Sequence, residues 1–496
     1  MNTYLYRETE KSRVNNLAPI IISFGLASVL FFYGFSSFQV LRTWLTSLSG
    51  LAIIWFYIWY RYNGNILIQL NILMALSFSF FNLIPSLYLS LRIPFFSRLD
   101  RWDLSDTYAL VNVLTTLGTL SMLIGYELIK QNQYIVLQRS TNIILSKVQV
   151  NIILAIICVP AWLARSFLVV MGGYYRGFKD LGFLTGRWAS VANLISSYGL
   201  LVPIILWLLS KRDHRWRLWA WIATIAEFTW VIPSGARIEI IQVALAVIFV
   251  VWWCNQRPPV TLTAILVLLT AMTMPIMGQY RLTIGRFSSQ DRVSITATIA
   301  AYEAAQEKIE REVADSQLMY SIDESFRRFY DGSFFAYILK YYHQTYNFEY
   351  GETYIARLPF VLLPYFVFPD RPIMQTPLNN WFPHLIAVGH TPVTFLGEAY
   401  INFGHAAICV IPFLLGVILA IWDNLWLKYM DNVFFVAIYL LFCVKFFNAT
   451  SMNLVSILGM MRNYILLLAV FYMIQHLLLR FSRLDHTNKA SQSWSW

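Results

Sequence analysis

The sequence predicts an all-α fold, a polytopic transmembrane helix bundle of about twelve spans, and three observations carry that expectation. Of 496 residues, 58% are hydrophobic and only 13% are charged, where soluble domains carry about 25% charged residues. Mean hydropathy is +0.56. The apolar residues fall in runs of roughly 17–25, the length that crosses a bilayer as a helix. So much apolar surface has no place in one water-soluble core, and the bilayer becomes its solvent.

Taken in order, the expected spans run from about Leu17 to Phe38, Trp44 to Tyr60, Ile66 to Leu91 and Thr107 to Ile129. They continue with about Val150 to Met171, Ala189 to Ser210, a short one at Leu218 to Ile232, then Ile238 to Cys254 and Val260 to Met277. After a long polar interval come about Thr394 to Trp422, Val433 to Phe447 and Arg462 to Leu479. This divides the chain into nine spans over 1–277, a large loop over 278–393, three spans over 394–480 and a tail over 481–496. No internal repeat of the kind many transporters show is visible.

Charge and cysteines narrow the class. The net charge of +11 is scattered among apolar spans. That suits loops facing anionic lipid and an anionic substrate, not nucleic acid. Cys158, Cys254, Cys409 and Cys443 lie inside apolar runs without metal-ligand spacing, so neither a disulfide framework nor a zinc site is expected. The first apolar run is too long for a signal peptide core and follows a polar, basic start. With the N-terminus inside, the short cytoplasmic segments carry Arg7, Lys11, Arg13, Arg61, Lys130, Arg139, Lys147, Lys211, Arg212, Arg215 and Arg217. The opposite side carries Arg92, Arg98, Arg101, Arg176, Arg187 and Arg237, several of them neutralised by Asp100, Asp103, Asp106 and Asp180. Both termini are therefore expected in the cytoplasm, with the large loop extracytoplasmic.

The loop is where chemistry is expected. It opens with Arg281, Arg286 and Arg292. From Thr298 to Phe329 it lacks Pro and Gly, and Ile295, Ile299, Tyr302, Ile309, Val313, Leu318 and Ile322 recur at helical spacing. This predicts one or two amphipathic helices at the membrane surface. Leu358 to Phe368 is apolar, holds two prolines and is too short to span, which fits a re-entrant or interfacial segment.

Arginine at membrane depth is costly and marks function or a buried pair. Its planar fork matches phosphate oxygens two at a time. Arg165 lies inside the fifth span near its outer end; Arg237 sits in an SGAR turn; Arg281 follows the ninth span; Arg328 and Arg371 lie in the loop. Arg237 and Arg281 are the favoured phosphate ligands, and snorkelling or ion pairing is the plainer role for the others. Glu398, in TPVTFLGEAYINFG, lies at the mouth of the tenth span. A desolvated carboxylate there gains a raised pKa and can serve as a base near neutral pH. An ion pair with a neighbouring arginine that holds the loop fits the position equally well. His390, eight residues earlier, is the other candidate base; His343, His384 and His405 lie in or near the same loop. No histidine pair has metal-ligand spacing, so no metal is expected. Glu127 and Glu227 are further intramembrane carboxylates.

These residues resemble a family. The order SGAR, a long loop opening with arginine, a GxxY stretch leading to an FP-x-x-P turn, and GEAYINFG resembles Wzy-type O-antigen or oligosaccharide repeat-unit polymerases, over roughly Arg165 to Gly416. The resemblance implies a GT-C-like, metal-independent membrane glycosyltransferase of the bacterial inner membrane with no cofactor. Its substrate would be an undecaprenyl-diphosphate-linked oligosaccharide, with membrane lipid, a chain-length regulator and a flippase as partners. Carried onto this chain, Arg237 and Arg281 would hold the diphosphate, with Arg165, Arg328 and Arg371 as weaker matches. Glu398 or His390 would be the base, and Tyr174, Tyr175 and Tyr400 would stack on or hydrogen-bond sugars. The rival readings are an O-antigen ligase, a flippase or transporter of the same lipid-linked sugars, and a membrane scaffold without activity.

Overall fold

The computed structural model describes residues 33–34, 39–62, 68–91, 104–129, 147–170, 191–211, 213–234, 237–255, 258–266, 268–269, 276, 280, 295–312, 323, 326, 330–361, 378, 381–382, 393–427, 429–430 and 432–492. Regular structure among the described residues is helical throughout. Eight helices among them are long and apolar enough to cross a membrane. The first seven helices are α1 (Gln39–Tyr62), α2 (Leu70–Leu91), α3 (Tyr108–Ile129), α4 (Lys147–Val170), α5 (Val191–Ser210), α6 (Arg215–Ser234) and α7 (Arg237–Asn255). Helix α8 (Ile295–Glu312) and helix α9 (Gly332–Thr345) follow, then two single turns, α10 (Glu352–Ile355) and α11 (Leu358–Val361). The chain closes with α12 (Phe395–Phe403), α13 (Ala407–Leu427), α14 (Val433–Phe446) and α15 (Leu454–Gln492).

Most expected spans have their helix. The short expected seventh span is α6, whose Trp216, Trp219, Trp221 and Trp230 and charged Glu227 leave it less apolar than the eight. Most of the expected first span, and eight of the eighteen residues of the expected ninth, lie outside the described residues. One correction concerns the expected tenth span, Thr394 to Trp422, which is two helices. Thr394 caps α12 by accepting the Gly397 amide at 3.1 Å, and Gly404, at φ +70°, ends it. That backbone region costs glycine nothing and other residues a steric penalty. Hydropathy runs straight through the break because both flanks are apolar. The last span also begins earlier than expected, at Leu454.

The tightest crossing joins α3 to α13, and it is set by glycines. A Cβ at Gly416 would sit 2.0 Å from the Met122 carbonyl oxygen, and one at Gly125 would sit 2.2 Å from that of Phe413. Small residues let helix backbones meet in this way, where lipid supplies no hydrophobic drive between helices. Gly118 faces Ile408, and Asp423, further along α13, accepts the Tyr126 hydroxyl at 2.6 Å. The two helices therefore run parallel. Between α1 and α3 the seam is polar: the Asn112 amide donates to the Thr43 carbonyl and to the hydroxyls of Thr46 and Ser47.

Polar contacts mark two ends of the bundle. At the far end Arg61 pairs with Glu127 at 2.8 Å, Tyr62 donates to the same carboxylate, and Lys211 donates to Asn255. At the other end Lys340 of α9 pairs with Asp106, and Tyr88 donates to Asp323 at 2.6 Å. This second end is where the large loop docks. The π-helical turn Ser79–Leu83 within α2 helps: the Phe81 carbonyl there accepts the Asp331 amide at 2.9 Å.

Candidate functional site

The floor of the loop end is the turn 447–453, between α14 and α15. Polar groups among packed apolar helices must find protein partners, and here they do. Ser451 donates to Asp331 at 2.6 Å and Thr450 at 3.2 Å, while Ser77 donates to Thr450 at 3.2 Å. Burial raises the Asp331 carboxyl to about 6, with the two hydroxyls pulling the other way.

Above this floor lies Glu398. It is fully buried on α12, at 0% exposure. Asn453, which caps α15 through the Ser456 amide, donates to Glu398 Oε1 at 3.2 Å. From the loop side, Arg357 Nη1 stands 4.0 Å from the same oxygen and donates to the Thr353 carbonyl. Glu398 Oε2 makes no hydrogen bond of normal geometry. Burial raises this carboxyl from 4.5 to about 7; Arg357, Asn453, Thr353 and the Leu454 amide offset only part of that. The Tyr354 hydroxyl, also buried and without a hydrogen-bond partner, is pushed upward by burial and then by the Glu398 charge.

Asn402, one turn beyond Glu398, fixes the loop over it. Its amide donates to the Glu398 carbonyl at 2.8 Å and to the Thr353 hydroxyl at 2.7 Å, and its oxygen accepts the Gly351 amide at 3.0 Å. The Glu349 and Tyr350 amides add bonds to the carbonyls of Ile401 and Asn402. Gly351 turns the chain at φ +89°, where a side chain would also strike the Phe403 ring. Segment 349–353 is thus stitched to the end of α12, and α10 and α11 fold back over the carboxylate. Arg462, near the start of α15, holds the far end of that flap by donating to the Val361 carbonyl.

No protein-family model, no curated protein and no solved structure matches this chain.

Of the residues singled out in the sequence, Glu398 and Tyr400 lie on the same helix. Tyr400 is buried, with ring centroids of His343, His405 and Phe348 at 5.2, 5.0 and 6.2 Å. At 4% exposure the residue has little surface left for a sugar. Arg165 belongs to a second cluster. It is 2% exposed, donates to Glu227 at 2.6 Å and to the Ser196 carbonyl at 3.3 Å, and lies against Trp162 and Trp230. Glu227 thus gains its partner. Beside the pair is a cavity of about 50 Å³ with Gln242, Glu239 and Lys445 on its wall. Arg237 opens α7 at the loop end. Arg281, Arg328, Arg371, Tyr174, Tyr175 and His390 lie outside the described residues.

Sequence reasoning passed over Arg357, Thr353, Asn402, Asn453 and Arg462. Arg357 sits in GETYIARL, and Asn402 in the same GEAYINFG motif as Glu398. A signal existed for both, since a polar residue in an apolar stretch needs a partner. Asn453 and Arg462 open the last span, where polar residues read as its boundary. Among the described residues, no group of three or more His, Cys, Asp or Glu is placed to hold a metal ion.

Proposed function

We propose that the chain is a Wzy-type polymerase, a GT-C-like glycosyltransferase of about twelve spans in a bacterial inner membrane. It would act on undecaprenyl-diphosphate-linked oligosaccharides at the outer face, with both termini in the cytoplasm. The observation that carries this reading is the buried Glu398 carboxyl, with one oxygen making no hydrogen bond of normal geometry, raised by burial to about 7 and standing 4.0 Å from Arg357. In the proposed reaction Glu398 takes the proton of the acceptor hydroxyl. The freed oxygen attacks the anomeric carbon of the donor, and the bond from that carbon to the diphosphate oxygen breaks. Undecaprenyl diphosphate leaves with the electron pair, its charge met by cations of the Arg357, Arg237 and Arg281 type.

The full burial of Glu398 favours a second reading, in which the carboxyl only anchors the flap. The two part in one experiment. Purified protein is given undecaprenyl-diphosphate oligosaccharide extracted from its own host, and products are resolved as a ladder. Wild type is expected to make the ladder. Glu398→Gln, which keeps the shape and the Asn453 contact, is expected to make none while staying folded and melting no lower than wild type. A ladder from Glu398→Gln removes Glu398 as the base and leaves His390. No ladder from wild type, with movement of the donor across vesicles, replaces the polymerase with a transporter.

A further inference from the structure

The flap over Glu398 turns an apolar surface outward. Tyr350 is 74% exposed, Ile355 71%, Leu358 50% and Phe403 45%. They form one patch: Gly351 sits against both Phe403 and Ile355, the Tyr354 ring stacks on Phe403 at 6.5 Å, and Leu358 follows one turn later. Contiguous apolar exposure of this kind marks a contact surface.

Its depth is set by α15. The Val361 carbonyl, at the end of α11, is held by Arg462. Arg462 stands two turns into the span that opens at Leu454, about 12 Å along its axis. The flap therefore reaches down beside a membrane-crossing helix. The patch is also continuous in kind with the outward face of that helix, where Ile465, Leu466, Val470 and Met473 are exposed.

We propose that the face made by Tyr350, Ile355, Leu358 and Phe403 is immersed in the hydrocarbon of the bilayer and seats a lipid chain, so that the Glu398 site opens sideways to the membrane and not upward to water. Large apolar side chains on the outside of a helical membrane protein bury their surface among acyl chains. The proposal holds whether or not the chain transfers sugars.

The test uses the full chain with Cys158, Cys254, Cys409 and Cys443 replaced by alanine, in nanodiscs of phosphatidylcholine and phosphatidylglycerol. A single cysteine at Ile355 carries a bimane label. Val470→Cys serves as the lipid-facing control and Gln344→Cys as the water-facing one. Nitroxide on the lipid acyl chain is expected to quench Ile355→Cys as strongly as Val470→Cys, with iodide reaching neither. Quenching by iodide to the level of Gln344→Cys would overturn the proposal, and so would silence to both quenchers, which would mean that protein covers the patch. If Ile355→Cys does not fold, Leu358→Cys and Phe403→Cys carry the same expectation.

Discussion

Replacing Glu398 by glutamine is expected to flatten the pH dependence of stability. The wild-type carboxyl stands near 7 in the folded chain against 4.5 when exposed. A folded-state value that is raised favours the protonated form, so its contribution is fully present below about 4.5 and lost as pH rises through about 7. The difference corresponds to about 3 kcal/mol between the two limits. Glutamine copies the protonated acid and has nothing to ionise. Wild type and Glu398→Gln should therefore run close together near pH 4.5 and diverge by a few degrees in melting temperature near pH 8. The carboxyl of Asp331, raised to about 6, adds a slope of the same sign. It is common to both proteins and cancels in the difference. The assay is a series of melts in detergent across this range, read by intrinsic fluorescence. Parallel curves from acid to alkali would refute the reasoning, since they would mean that Glu398 does not titrate in this window.

Three further outcomes are expected. Arg357→Gln removes the largest influence that lowers the Glu398 carboxyl, so the gap between this variant and its Glu398→Gln double variant should open from the same pH of about 4.5 but keep widening to a higher pH than in the wild-type pair, in the same melts. Arg165→Gln or Glu227→Gln alone leaves a buried charge without its partner and should cost about 3–5 kcal/mol, while the double replacement should cost less than the sum; a thermodynamic cycle of melts measures the coupling. Gly416→Ala puts a Cβ against the Met122 carbonyl and should cost about 1–3 kcal/mol; Gly34→Ala, with open space around it, should leave the melt unchanged.

The bundle was largely legible because its signal is summed over many residues. Runs such as Tyr108–Ile129 and Ile238–Asn255 need only length and hydropathy to be recognised. The break at Gly404 was not legible, because a single φ angle decides it inside an apolar stretch. Glu398 could be found because a lone carboxylate between apolar neighbours is expensive. Its partners could not, since Arg357, Asn402 and Asn453 come from three separated segments and only the fold brings them together. Arg165 illustrates the opposite case. Its depth was readable, but the choice between a ligand and an internal partner depended on where Glu227 on another helix would point.

The parallel contact of α3 with α13 also bears on how the protein is made. Helix α3 enters the membrane long before the ribosome reaches α13. Until then its row of small residues, Gly118 and Gly125, has no backbone to receive. The early helices must wait in the bilayer with that groove filled by lipid or by an insertion factor. Closure of the bundle then falls to the last part of the chain to be synthesised, and a product truncated before Ala407 would lack the piece that locks the first half in place.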